Sequence, residues 1–66
     1  MDAKKIGNRL IRLRGNKSQQ EVSESVGISA SALSMYENGE RIPRDGIKEN
    51  LASYYDTNVQ ALFYDD

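Results

Sequence analysis

The chain has 66 residues, with nine Lys/Arg against ten Asp/Glu and neither cysteine nor histidine. That length holds one small domain, which buries roughly 60% of its unfolded surface, and the composition excludes disulfides, zinc fingers and thiol or imidazole chemistry. No apolar run approaches the roughly 20 residues that cross a bilayer, and the amphipathic start "MDAKKIGNRL" lacks a signal core.

Five short helices fit the pattern, and no segment reads as a strand. The first spans Ala3 to Arg14, with Asp2 as N-cap and with Ile6, Leu10 and Leu13 at helical spacing, flanked by Ile11. "GNKS" ends it, because Gly15 and Asn16 tolerate a left-handed turn. Ser18 caps the second helix, Glu21 stands three residues later as the reciprocal half of a capping box, and Val22 and Val26 form its apolar stripe. Gly27 closes this helix, and only Ile28 separates it from the next cap, Ser29. Two short helices joined by so brief a Gly-containing turn meet at a steep angle, as in a helix-turn-helix. The third helix runs to Asn38 and stops at Gly39. After the "ERIP" loop, in which Pro43 forbids helix, Asp45 is placed to cap a fourth. Ile47, Leu51, Tyr54 and Tyr55 share a face of that helix, and Gly46 weakens its first turn. Asn58 caps a last short helix carrying Val59, Leu62 and Phe63.

The stretch "SQQEVSESVGISASALSMYENGERIP" resembles the helix-turn-helix of the phage Cro and lambda-repressor family, also called the xenobiotic-response-element family. The resemblance rests on an Arg in the first helix, Ser-Gln opening the second and Gly in the turn. Glu-Asn-Gly closes the third, and a proline and an Ala-bearing fourth helix follow. It implies an all-α, compact five-helix domain over residues 1–66 that binds a palindromic operator in double-stranded DNA as a homodimer, with helix 3 in the major groove. By position, Ala30, Ser31 and Met35 match base-contacting residues, with Ser34 nearby. Gln19, Ser29 and Asn38 match phosphate contacts, and Arg12 and Glu37 match a partly buried salt bridge between helices 1 and 3. Lys17 stands where the family often has leucine, and Ser23 where it usually has alanine.

The residues support this reading independently. With Leu33 and Tyr36 facing the core, Ser31, Ser34, Met35 and Asn38 fall on the opposite side of helix 3. That helix offers no Arg, Lys or Gln for a bidentate base contact, so thymine-methyl contact, close fit and DNA shape are its expected sources of specificity. Lys17, Arg41 and Arg44 sit in loops beside this face as candidate phosphate contacts. Lys4 and Lys5 read as solubilising charges on helix 1, a role that is open for Arg9 and Arg14 as well. Residues 1–33 carry six basic and three acidic side chains, and residues 34–66 carry three and seven, so one half is +3 and the other −4. A positive half suits phosphate while an acidic half faces away.

Four of the five aromatics, Tyr54, Tyr55, Phe63 and Tyr64, lie in the last 13 residues. Core packing accounts for some of them, Phe63 and one Tyr, and a domain this small leaves the others as an apolar patch for a partner. In the resembling family this region supplies the dimer interface, which assigns Tyr54, Tyr55, Leu62, Phe63 and Tyr64 to it. No catalytic constellation, metal site or cofactor loop is legible, and Asp65 and Asp66 read as a solvated end. The expectation is a non-enzymatic transcriptional regulator without cofactor, probing operator DNA in the cytoplasm of a bacterium or phage-infected host. A regulatory protein is a further candidate partner. The other class of reading is an antitoxin-like or antirepressor-binding module that uses the same fold.

Overall fold

In the computed structural model, which describes residues 1–65, four α-helices follow one another: α1 (Ala3–Arg14), α2 (Gln19–Val26), α3 (Ala30–Glu37) and α4 (Asp45–Tyr54). A π-helical segment, α5 (Gln60–Tyr64), completes the fold, and no strand occurs among the described residues. Asp66 lies outside them. Among the described residues, no helix is long and apolar enough to cross a membrane.

Helix starts follow the polar caps. Asp2 accepts hydrogen bonds from the Lys4 and Lys5 N–H groups at 3.0 and 3.2 Å. Ser18 Oγ accepts from Glu21 N–H at 3.0 Å, and Ser29 Oγ from Ala32 N–H at 3.0 Å. Asn58 Oδ1 accepts from Ala61 N–H at 2.8 Å. These bonds satisfy donors that helix geometry leaves free at each N-terminus. Two expectations need correction. The Glu21 carboxylate makes no return bond to Ser18 among the described residues, so the box is half-formed. Asp45 is not the cap of α4 but its first residue, since Lys48 N–H bonds the Arg44 carbonyl at 2.9 Å. The Asp45 carboxylate instead stands 3.5 Å from Lys48 Nζ.

Helix ends follow the glycines. Gly27 is left-handed (φ 85°), and its N–H and that of Ile28 both bond the Ser23 carbonyl at 2.9 Å, which turns the chain directly into the Ser29 cap. Ser23, 1% exposed, donates its hydroxyl to the Gln20 carbonyl at 3.0 Å, so a polar group enters the α2–α3 contact already satisfied.

The core draws Ile6 and Leu10 from α1, Val22 and Val26 from α2, and Leu33 and Tyr36 from α3. Leu51 and Ala52 come from α4, and Leu62 and Phe63 from α5. Leu13, expected in this stripe, is 42% exposed and Ile11 43%. The buried stripe of α1 runs Ile6, Gly7, Leu10 and on to half-buried Arg14, a spacing of four that leaves Leu13 and Ile11 to either side.

Gly7 explains how closely α1 lies on α3. A Cβ at this position would fall inside the contact distance of the Glu37 carbonyl oxygen and 2.9 Å from that of Tyr36. The backbone of α1 therefore rests directly on the C-terminal turn of α3. One turn earlier, Lys4 Nζ donates to the Asn38 carbonyl at 3.2 Å, placing a cation at the negative end of α3. Arg9 donates to the Leu62 carbonyl at 3.1 Å and also to that of Asp65, tying α5 to α1. Lys4 and Arg9 are thus structural rather than merely solubilising. Lys48 is buried as well, and its Nζ donates to the Tyr64 hydroxyl at 2.9 Å; this bond, foremost among several neighbours, raises its pKa.

Candidate nucleic-acid interface

Helix α3 is held from behind and open in front. Leu33, Tyr36 and Glu37 face inward and are buried. Ser31 is exposed, while Ala30, Ser34 and Met35 are partly exposed, so the four predicted readers share one accessible surface. Asn38, exposed at the C-terminal end, approaches Ser34 Oγ through Nδ2 at a long 3.5 Å. At the other end, exposed Ser29 uses its oxygen as an acceptor for the cap, and its hydroxyl proton is left to donate outward.

The clamp behind α3 centres on Glu37, whose side chain is 2% exposed. Its partner is Arg14, not Arg12. Arg14 Nε donates to Glu37 Oε2 at 2.7 Å and Nη2 donates to Oε1 at 3.1 Å, a bidentate ion pair. The hydrogen bond to Glu37 is the main reason the Arg14 pKa is raised. Arg12 is exposed because it lies two residues from both Leu10 and Arg14, on the far side of α1. Arg14 Nη1 also donates to the Lys17 carbonyl at 2.7 Å, anchoring the turn between α1 and α2.

Gln19 joins this cluster through Nε2, which donates to Glu37 Oε1 at 2.8 Å. Its carboxamide is therefore fixed by an internal partner. One amide proton and the backbone N–H at the start of α2 remain to face an anion. Lys17 is likewise engaged, with Nζ 3.2 Å from the Tyr54 hydroxyl and 4.9 Å from the centre of its ring. Arg41 and Arg44 are exposed, without an ion-pair partner among the described residues.

Behind the clamp, Tyr55 carries a buried hydroxyl with no hydrogen-bond partner among the described residues. Burial, reinforced by the nearby Glu37 and Tyr54, pushes its pKa up to about 12. The five residues assigned to a dimer interface divide sharply. Leu62 and Phe63 are 2% and 1% exposed and belong to the monomer core, so they are removed from that surface. Tyr54 and Tyr55 are half-buried against each other, edge to face, with ring centres 5.0 Å apart. Only Tyr64, 44% exposed, projects substantially. The buried pair is explained by α5, which turns the apolar side of "ALFY" onto α1 because Arg9 holds its terminal carbonyls.

Sequence reasoning missed Gly7 and Lys48. The signal for Gly7 was available, since an isolated glycine inside an otherwise good helix points to a close approach. For Lys48 there was none, because a lysine in the polar first half of α4 reads as solvent-facing.

Comparison with known proteins agrees with this geometry. The model of the helix-turn-helix family matches residues 9–62, from α1 into α5. The chain belongs to the Xre/Cro-like helix-turn-helix family. Among solved structures, this helix-turn-helix domain is similar to the SOS-response transcriptional repressor LexA from Eubacterium rectale, determined in solution. The TM-score is 0.88 at 27% identity, over 98% of this chain and 71% of that one. No curated protein matches the sequence. The domain is accordingly a DNA-binding transcriptional regulator, with α2 and α3 as its helix-turn-helix.

Proposed function

We propose that the domain represses transcription by occupying a palindromic operator as a two-fold dimer, with α3 of each subunit in the major groove. The observation that carries this reading is the division of α3. Its inner face is clamped to α1 through Glu37, and its outer face, Ala30, Ser31, Ser34 and Met35, is left to solvent. Helix α2 then crosses the phosphate backbone, with the α2 N-terminus and the free amide proton of Gln19 aimed at one phosphate. The Ser29 hydroxyl, Asn38 and the exposed Arg41 and Arg44 take others, and Lys17 contributes after releasing Tyr54. The likeness to a protein described as a transcriptional repressor supports repression. The dimer contact falls to Tyr64 and the accessible edges of Tyr54 and Tyr55.

Selection of bound sites from random duplex DNA tests this directly. Enriched sequences with two-fold symmetry and half-sites about 34 Å apart support the dimer. A gel shift on the selected duplex with the Ser31→Arg, Met35→Arg double variant then tests the reader. Unchanged specific binding by this variant rules out α3 as the reading helix.

A further inference from the structure

Composition alone leaves three sources of specificity for α3: methyl contact, fit and duplex shape. The side-chain partners narrow them. The only charged residue of α3, Glu37, is buried and occupied by Arg14 and Gln19. The amides flanking the face are partly committed, Gln19 to Glu37 and Asn38 towards Ser34. Of the cations around the face, Arg14, Lys17 and Lys4 are engaged with Glu37, Tyr54 and the Asn38 carbonyl, and exposed Arg41 and Arg44 lie in the loop beyond α3, outside the helix itself. What α3 presents to a groove is therefore one thioether, one methyl group and two hydroxyls.

Each base pair offers a distinct pattern of donors, acceptors and methyl groups in the major groove, and the 5-methyl of thymine is the one apolar element. Hydroxyls can donate or accept and so discriminate weakly. The Met35 thioether and the Ala30 methyl bond to nothing, and they gain only where they cover an apolar group. Resting on the reading of α3 as the major-groove helix, we infer that its ligand is a half-site defined by thymine 5-methyl groups seated against Met35 and Ala30. Ser31 and Ser34 satisfy whichever polar edges lie between them. Met35 is the specificity-determining residue.

The test uses the selected operator and the full chain. Replacing each half-site thymine by deoxyuridine removes the methyl and leaves every hydrogen-bonding atom in place. At the positions under α3, affinity should fall about fourfold per methyl, the change that loss of one buried methyl corresponds to. Replacing the same thymines by deoxyuridine for the Met35→Ala variant should give a smaller loss at one position, because the contact is already gone. Met35 is partly exposed, and alanine favours helix, so this variant keeps the fold. Equal affinity for thymine and deoxyuridine operators overturns the inference while leaving operator binding intact. A uracil penalty that Met35→Ala does not reduce at any position also overturns it, since the methyl then acts through duplex shape. Failure to enrich any duplex removes both this inference and the operator reading beneath it.

Discussion

Glu37 gives the most exposed quantitative consequence of the fold. Its carboxylate accepts from Arg14 at 2.7 and 3.1 Å and from Gln19 at 2.8 Å, with the side chain 2% exposed. In Glu37→Ala, Arg14 loses its counter-charge while remaining largely enclosed, and the Gln19 amide loses its acceptor. Breaking a fully buried pair costs about 3–5 kcal/mol. Arg14 is 20% exposed and keeps its bond to the Lys17 carbonyl, so part of its charge can be rehydrated. The loss is then about 2–3 kcal/mol, a large share of the roughly 3–10 kcal/mol available to a domain this size. Thermal unfolding followed by circular dichroism at pH 7 should show a Tm lower by about 10–20 °C. Glu40→Ala, at an exposed position, should shift it by no more than a few degrees. The parallel pair is Arg14→Ala, strongly destabilising, against Arg12→Ala, near neutral. Equal shifts for Glu37→Ala and Glu40→Ala, or a larger effect from Arg12→Ala than from Arg14→Ala, would refute the assignment.

The glycines of α1 and α4 should respond in opposite directions. Gly7→Ala drives a methyl into backbone oxygen that no rotamer change relieves, and the net loss should be about 2 kcal/mol after allowing for better helix propensity. Gly46→Ala meets open space and should gain up to about 1 kcal/mol, both read from denaturant midpoints. Tyr55→Phe removes an unpartnered buried hydroxyl and should hold or slightly raise stability at pH 7. The Tyr55 pKa is raised in the folded state, so its contribution is complete below pH 10 and is lost as pH rises from 10 towards 12. Urea titrations at pH 9 and 11 should therefore show a smaller alkaline loss for Tyr55→Phe than for the parent, by about 1 kcal/mol. On the selected operator, Arg41→Ala and Arg44→Ala should each reduce the slope of log affinity against log salt by about 1, without altering base preference.

Much of the architecture was legible because its signals are local. Asp2, Ser18, Ser29 and Asn58 cap the expected helices, and Gly27 and Gly39 end them, since caps and left-handed turns depend on a few adjacent residues. Ser31, Ser34, Met35 and Asn38, which a helical projection sets opposite Leu33 and Tyr36, are all exposed or partly exposed. What failed required helix phase or tertiary contact. Carrying the family's salt bridge onto Arg12 missed its place on α1 by two positions, and separately the apolar spacing put Leu13 in a stripe that instead runs Ile6, Gly7, Leu10 and Arg14. Assigning Leu62 and Phe63 to an interface overlooked how α5 folds back under Arg9, a contact between residues more than 50 apart in sequence. The burial of Lys48 depends on Tyr64 lying across it, which no local pattern records.

The direct contact of α1 backbone with the last turn of α3 at Gly7 also bears on how such a domain can change its target. Orientation of the reading helix is set by main-chain surfaces and by Glu37, none of which belongs to the outward face. Ala30, Ser31, Ser34 and Met35 can therefore be exchanged with little tax on the docking angle, so substitutions there should retarget the helix more readily than they unfold it. Under the proposed reading, mechanical support and information content reside in separate residues of one eight-residue helix, the former in buried Leu33, Tyr36 and Glu37. That separation makes α3 a replaceable cartridge in a fixed holder, and Gly7 is the seat against which the holder is machined.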